Sequence, residues 1–286
     1  MVDVKSFFHE DTSTLTHVVY DKKTKHAVII DPVMDFNLQT FGTAETSVKQ
    51  IVDYCKENHL QVSHVLETHI HADHLSGSQL VKKYFPQVKI CIGEEVHLVQ
   101  KYFSDLYDID EKERPDESCF DLLYSNGKEI TLNSFSIKTW HTPGHTPACY
   151  TLQIGDKLFT GDALFAPDVG TGRCDFPGGE AKTLYQSIKK HIYSQGESST
   201  VFFGHDYPNK RPLMEHVSLK EELNANIRIT SQTKEEDFIK FRRQRDKELA
   251  PPKLILPSLL VNIYGGRLPK PRKNGRVYFR LPLNAL

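Results

Sequence analysis

The chain has 286 residues, 38% hydrophobic and 26% charged, an ordinary globular composition with length enough for one sizeable core. Its 36 Lys+Arg nearly cancel its 37 Asp+Glu, so net charge gives no footprint for nucleic acid or for an anionic membrane surface. Cys55, Cys91, Cys119, Cys149 and Cys174 are odd in number, scattered and free of any CxxC pair, which argues against a disulfide framework or zinc ribbon and for reduced thiols.

The opening MVDVKSFFHEDTSTLTHVVYD has neither the apolar core of an export signal nor the Arg-rich look of an organelle presequence, and no later run reaches membrane-spanning length. The expectation is a soluble, cytoplasmic protein. THVVYD and HAVIIDP are short β-rich runs separated by the polar KKTK, the signature of a hairpin. ETSVKQIVDYCKENHL has apolar residues at helical spacing. VSHVLETH is a strand whose end delivers a cluster of histidines, and SGSQLVKKYF is a helix starting just beyond it. The middle of the chain, KICIGEE, KEITL, FSIKTWHT and ACYTLQIGDKLFTGDALF, predicts a succession of short strands. EAKTLYQSIKKHIYS is an amphipathic helix, and STVFFGHDY a buried strand that again ends on a histidine. Strands this short and hairpin-linked fit two packed sheets flanked by helices better than a doubly wound parallel sheet.

From about Leu219 the composition turns to a charged helical stretch, LKEELNANIRITSQTKEEDFIKFRRQRDKELA, then PPKLILPSLLVNIYGG and a Pro- and Arg-rich tail. The expected division is a catalytic domain over 1–215 and a C-terminal helical extension and tail over 216–286, anchored on the core by LILPSLLV. The charge run is by default a solvated helix face.

Candidate ligands fall in four separated places: His69, His71, Asp73 and His74 in THIHADH, His145 in HTPGHTP, Asp162 in FTGDALF and His205 in FFGHDY. Each follows or ends a strand, and strand ends at one edge of a sandwich can converge side chains on a point. Any one of them alone is as well explained structurally; the joint pattern is not. His69, His71 and His145 could gather one cation, Asp73, His74 and His205 a second, with Asp162 bridging. Nitrogen and oxygen ligation suits Zn, Fe or Mn. A two-histidine, one-carboxylate subset such as His69, His145 and Asp162 would leave one face open, as in non-haem Fe(II) oxygenases.

THIHADH, HTPGHTP, TGDALF and GHDY, in this order over about Asp3 to Arg211, resemble the metallo-β-lactamase superfamily, which implies an αββα sandwich within the α/β (α+β) class, here with a C-terminal extension. TGDALFAPDVGTGRCDFPGG is unlike the β-lactamases and resembles the persulfide (sulfur) dioxygenases, whose GRxDF stretch corresponds to Gly172, Arg173, Asp175 and Phe176. The longer DALFAPDVGTGRCDFPGG and the tail LILPSLLVN resemble the β-lactamase hydrolase-like branch, associated with sulfide detoxification. The resemblance implies one Fe(II) per chain and oxidation of glutathione persulfide by O2 and water to sulfite and glutathione. It implies His69, His145 and Asp162 as iron ligands. His71, Asp73, His74 and His205 match positions that bind metal in dinuclear relatives, and in the dioxygenases they would surround the iron or border an empty pocket. The alternative metal content is one or two Zn. No nucleic acid or membrane partner is implied, and a homodimer is compatible with the sequence.

Glutathione carries two carboxylates, for which bidentate Arg is the natural partner. Arg173 matches the family's GR arginine, Arg228 sits in NANIR where relatives have a similar Asn-x-Arg, and Tyr207, Lys210 and Arg211 follow the last histidine. Arg173 is equally placed to hold its loop by a salt bridge to Asp175, and Lys210, Arg211 and Arg228 have a solvated surface role as the plainer reading. Asp31 in VIIDP is expected to form a turn, His141 to hydrogen-bond within its loop, Asp206 to orient a neighbour, and Cys149 and Cys174 to pack inertly rather than accept persulfide sulfur. The rival functions are a dinuclear thioester hydrolase of the glyoxalase II kind, then a β-lactamase, set back by the lack of an export signal, and, from another class, a non-catalytic sulfur-sensing or scaffold protein. The GRCDF stretch ranks the dioxygenase first.

Overall fold

The computed structural model describes residues 2–285. Two six-stranded sheets pack face to face. The first runs Val2–His9, Thr14–Asp21, His26–Ile30, Gln61–Leu66, Lys89–Gly93, Leu122–Tyr124. Its first three strands are antiparallel and the rest parallel. The second runs Lys128–Leu132, Phe135–His141, Tyr150–Ile154, Lys157–Phe159, Thr200–Phe202, His216–Ser218, antiparallel apart from the pair Lys157–Phe159 and Thr200–Phe202. Both the expected hairpin and the expected pair of sheets are present.

Alternation along single strands explains the layering. In His26–Ile30, Val28 and Ile30 join Leu66, Tyr150, Leu152 and Phe159 in the core between the sheets, while Ala27 and Ile29 point the other way. That outer face is covered by α1 (Thr46–Glu57), whose buried Val48, Ile51, Val52 and Cys55 follow helical spacing, and by α2 (Ser78–Tyr84). A helix, α3 (Val96–Leu106), stands where only strands are expected from the sequence; Val96, Val99 and Phe103 carry the helical period and are buried. The outer face of the second sheet is covered by α4 (Ala181–Ser187), which continues as a π-helical turn over Ile188–Ile192 and buries Leu184, Ile188 and Ile192.

The C-terminal extension is part of the same body. His216–Ser218 is the edge strand of the second sheet. The charged stretch divides into α5 (Leu219–Ala225) and α6 (Glu235–Asp246), and LILPSLLV forms α7 (Ile255–Asn262). Phe238 of α6 packs with Leu184 and Ile188, while Leu259, Leu260 and Ile263 pack with Ile90, Val99 and Phe103. The charge run is not wholly solvated: Arg242 and Asp246 are buried and paired at 2.7 Å. Among the described residues no helix is long and apolar enough to cross a membrane.

Leu259 is fully buried, so Leu259→Ala is expected to destabilise the whole protein by about 2–5 kcal/mol. Urea unfolding followed at both near- and far-ultraviolet wavelengths should show one transition moved to lower urea. An unchanged main transition with a separate early loss of the extension would contradict this.

Candidate metal centre

The four ligand-bearing segments all leave the ends of strands: His69 follows Gln61–Leu66, His145 follows Phe135–His141, Asp162 follows Lys157–Phe159 and His205 follows Thr200–Phe202. Their side chains converge. His69, His145 and Asp162 offer three ligand atoms within 4.8 Å of one another, with His69 Nε2 3.9 Å and His145 Nε2 3.5 Å from Asp162 Oδ2. The other carboxylate oxygen, Oδ1, lies 3.3 Å from His205 Nε2, which is itself 3.4 Å from Asp73 Oδ2. Asp162 therefore faces two clusters with its two oxygens.

Each converging imidazole is aimed by what its other nitrogen does. His145 Nδ1 donates to the carbonyl of Arg173 at 2.7 Å and His205 Nδ1 to the carbonyl of Ser13 at 3.1 Å. A carbonyl only accepts, so both rings carry a proton on Nδ1 and turn Nε2 toward Asp162; burial opposes charge on His205, but Asp162 and Asp73 outweigh it and raise its pKa. For His69 the relay is longer. Thr68 spends its hydroxyl proton on Asp31 Oδ2 (2.7 Å) and so accepts from His69 Nδ1 (3.0 Å). The resulting Asp31–Thr68–His69 chain is the kind of outer-shell support that fixes a ligand's tautomer. His69 Nε2 is then buried with no hydrogen-bond partner, as fits a donor that could hold a cation. Burial, then His71 and His145, hold the His69 pKa well below the usual value, which keeps that lone pair available.

His71 differs. Its Nε2 lies 3.1 Å from Asp31 Oδ1 and 3.3 Å from Glu67 Oε2, ion-pair distances without a well-directed hydrogen bond. Burial opposes charge on this ring, but Asp31 and Glu67 outweigh it and hold its pKa well above the usual value. His74 turns Nδ1 toward Asp73 Oδ2 (3.3 Å) and Thr14 Oγ1 (3.4 Å). The structure brings together His69, His145 and Asp162, the two-histidine, one-carboxylate subset offered by the sequence, and Asp31, expected to form a turn, is a buried partner of His71. The Asp31 backbone is left-handed, φ 50°, a conformation held where the surrounding contacts impose it.

Asp162 itself sits where backbones come close. A Cβ on Gly172 would lie 2.1 Å from the Asp162 carbonyl oxygen, and one on Gly204 2.9 Å from Asp162 Oδ1. Glycine at both positions lets the GRCDF loop and the GHDY strand end close around the carboxylate.

The extension holds both ligand loops. Asn262, buried on α7, donates through Nδ2 to the carbonyls of His71 and His74, both at 2.8 Å, and accepts from the Ser76 amide at 2.8 Å. On α6, Asp246 accepts from the Cys174 amide (3.0 Å), while Arg242 donates to the Thr171 carbonyl (3.2 Å). Neither Asn262 nor Glu67 stands out in sequence, because a single Asn in an apolar helix and a Glu before THIHADH belong to no spaced pattern.

Three of the four candidate substrate cations have protein partners. Arg173 makes a two-pronged pair with Asp175 at 2.5 Å and donates to the carbonyls of Leu249 and Ala250. Arg211 bridges Asp168 and Asp206, so Asp206 does orient a neighbour. Arg228 lies over the Phe241 ring at 4.0 Å, and Lys210 is exposed. Tyr207, half-exposed, stacks nearly parallel on His205 at 5.9 Å. His141 bonds to the Pro147 carbonyl within its own loop. All five cysteines are free and buried, and burial pushes the Cys149 thiol up to about 12 and raises Cys174 as well, which disfavours the thiolate that sulfur acceptance needs.

A sequence model of the metallo-β-lactamase superfamily matches residues 11–205. The chain is 39% identical to glyoxylase B2 of Dictyostelium discoideum over 99% of this chain and 97% of that one. It is 30% identical to the human mitochondrial persulfide dioxygenase ETHE1 over 83% of this chain and 79% of that one. The crystal structure of ETHE1 from Myxococcus xanthus superposes with a TM-score of 0.74 at 26% identity, covering 93% of this chain and 100% of that one.

Thr68→Val removes the link between Asp31 and His69 at little cost in volume. Metal affinity, measured by competition against a chelator, is expected to fall about 10–100-fold; an unchanged affinity would show that the relay does not orient His69.

Proposed function

The chain belongs to the metallo-β-lactamase superfamily, and from that premise we propose that it is a non-haem iron persulfide dioxygenase, converting glutathione persulfide, O2 and water to glutathione, sulfite and two protons in sulfide detoxification. The observation that carries this reading is the convergence of His69 Nε2, His145 Nε2 and Asp162 Oδ2 while His71 is engaged by Asp31 and Glu67. Two imidazole nitrogens and one carboxylate would hold an ion while leaving positions for ligands that are not protein. A ferrous ion held there would supply the electron transfer between a sulfur substrate and O2 for which such donor sets are used.

The chain's own residues do the positioning. Arg173 joins the site through its backbone, whose carbonyl fixes His145, while its side chain holds the GRCDF loop against the extension. Phe176, buried 6.3 Å from the His145 ring, places an apolar wall beside that ligand, and Tyr207 a second aromatic face beside His205. Recognition of glutathione's carboxylates falls to the cations not closed off by acid partners, Lys210 and Arg228. Arg173 and Arg211 reach substrate only by giving up Asp175, Asp168 and Asp206.

A second reading has its own observation. Asp162 Oδ1 faces His205 and, through it, Asp73, a geometry that would serve a bridging carboxylate, and a relative is named glyoxylase B2. A dinuclear hydrolase of glutathione thioesters follows from that, with two metals activating water and no use for O2.

Oxygen-electrode and sulfite assays on anaerobically purified, iron-loaded protein with glutathione persulfide separate the two. Oxygen uptake matched by sulfite is expected, with no turnover of S-lactoylglutathione; the reverse would establish the hydrolase. His69→Ala and Asp162→Ala are expected to lose both iron and oxygen uptake, and His74→Ala to lose less of each. Equal metal loss in all three variants would favour the dinuclear site.

A further inference from the structure

The near-neutral total charge hides two stretches of opposite sign that lie side by side. Residues 267–280 carry Arg267, Lys270, Arg272, Lys273, Arg276 and Arg280 and no Asp or Glu, while residues 108–113 carry Asp108, Asp110, Glu111 and Glu113 against Lys112 alone. Among the described residues one ion pair joins the two, Arg280 to Asp108 at 2.7 Å, and just before the basic stretch the Tyr264 hydroxyl donates to the Glu113 carbonyl at 2.7 Å. Lys270, Arg272, Lys273 and Arg276 on one side, and Asp110, Glu111 and Glu113 on the other, are exposed and make no ion pair among the described residues.

The basic stretch is held in a defined shape. The Arg272 amide donates to the Arg276 carbonyl and the Gly275 amide to the Arg272 carbonyl, both at 2.8 Å, and Asn274 Nδ2 donates to the Tyr278 hydroxyl at 2.7 Å. An apolar rim adjoins this turn. The hairpin of Val33–Asn37 and Gly42–Ala44 has its tip fixed by Asn37 Oδ1, which accepts the amides of Gln39 and Thr40 at 3.0 and 2.9 Å, and it holds Leu38 and Phe41 exposed. Phe36 ties the hairpin to the tail, its ring 5.7 Å from that of Phe41 and 5.8 Å from that of Phe279. Val277 and Tyr278, immediately before Phe279, are exposed as well. Exposed apolar side chains gathered in this way, beside polar ones, mark a contact surface.

We propose that this face pairs with a second copy of the chain about a twofold axis. The basic turn of each copy meets the acidic stretch of the other, with Leu38, Phe41, Val277 and Tyr278 covered between them. The charge pattern selects this occupant. A twofold contact requires a surface complementary to itself, which a basic stretch beside an acidic one provides and a surface of single sign does not. An anionic membrane, a nucleic acid or an acidic protein drawn to the arginines would be repelled by the neighbouring carboxylates. Within one chain only Arg280 and Asp108 neutralise each other, so both remainders are left for the partner. Nothing in this contact depends on the metal content of the centre or on its reaction.

Sedimentation velocity of the full-length chain over a range of concentrations tests this. The unaltered chain is expected to dimerise, and less tightly at high salt because exposed charges are then screened. Two variants reverse one partner each: Arg272→Glu/Lys273→Glu/Arg276→Glu and Asp110→Lys/Glu111→Lys/Glu113→Lys. Each is expected to weaken the dimer by about a hundredfold or more, since like charges then meet in both halves of the contact. Mixing the two variants in equal amounts is expected to restore a dimer, because each offers the other the opposite sign in both halves; a folding defect could not be rescued in this way. Should either variant fail to fold, Phe41→Glu, on the uncharged side of the face, is expected to give the same loss of dimer. A chain that stays monomeric at every concentration, a dimer indifferent to these changes, or folded variants that remain monomers when mixed would overturn the proposal. So would binding to phosphatidylserine vesicles in place of self-association, which would give the face to a membrane.

Discussion

An imidazole binds a cation only through a lone pair pointing the right way, and here that direction is imposed by a proton on the far side of each ring. His145 and His205 give their Nδ1 protons to main-chain carbonyls of Arg173 and Ser13, and His69 gives its own to Thr68. Those acceptors come from the GRCDF loop, the turn before the second strand and the threonine preceding His69. The centre therefore exists only when the two sheets and their connecting loops are assembled. Asp162, gripped by the near approach of Gly172 and Gly204, completes it from a third direction.

The C-terminal extension is the other half of this constraint. A ligand loop that leaves a strand end has few hydrogen bonds of its own, and its backbone must be fixed from outside. Asn262 does this for the THIHADH loop, and Arg242, Asp246 and the carbonyls of Leu249 and Ala250 do it for the GRCDF loop. An extension that looks from composition like an apolar anchor and a solvated charged helix is thus a clamp on both loops that carry the chemistry. Removing it would take away the supports of the ligands rather than a peripheral layer.

Much of this was legible in the sequence, and the remainder was not for definite reasons. Strands such as HAVII announced both their alternation and their partners, and the seven ligand-type residues stood at predictable strand ends. The helix Val96–Leu106 is masked in the sequence although Val96, Val99 and Phe103 mark its period, because β-branched and aromatic residues resemble strand composition. Asp31 and Asn262 act through contacts 37 to 191 positions apart in the chain, which no local spacing encodes, and Glu67, only four residues before His71, belongs to no recognisable ligand spacing. The arginines differ in the opposite way: Arg173 and Arg211 lie in sequence beside the candidate ligands, yet their guanidinium groups are committed to Asp175, Asp168 and Asp206. A charge count cannot show which cations are already paired.

The central claim is that one iron sits among His69, His145 and Asp162 while His71 stays with its carboxylates. Diffraction from crystals of anaerobically purified protein, recorded on either side of the iron and zinc absorption edges, tests it most directly. The account predicts a single anomalous peak, present only above the iron edge, bonded to Nε2 of His69 and His145 and to one oxygen of Asp162. Two peaks flanking Asp162, or one that persists below the iron edge and vanishes below that of zinc, would contradict it.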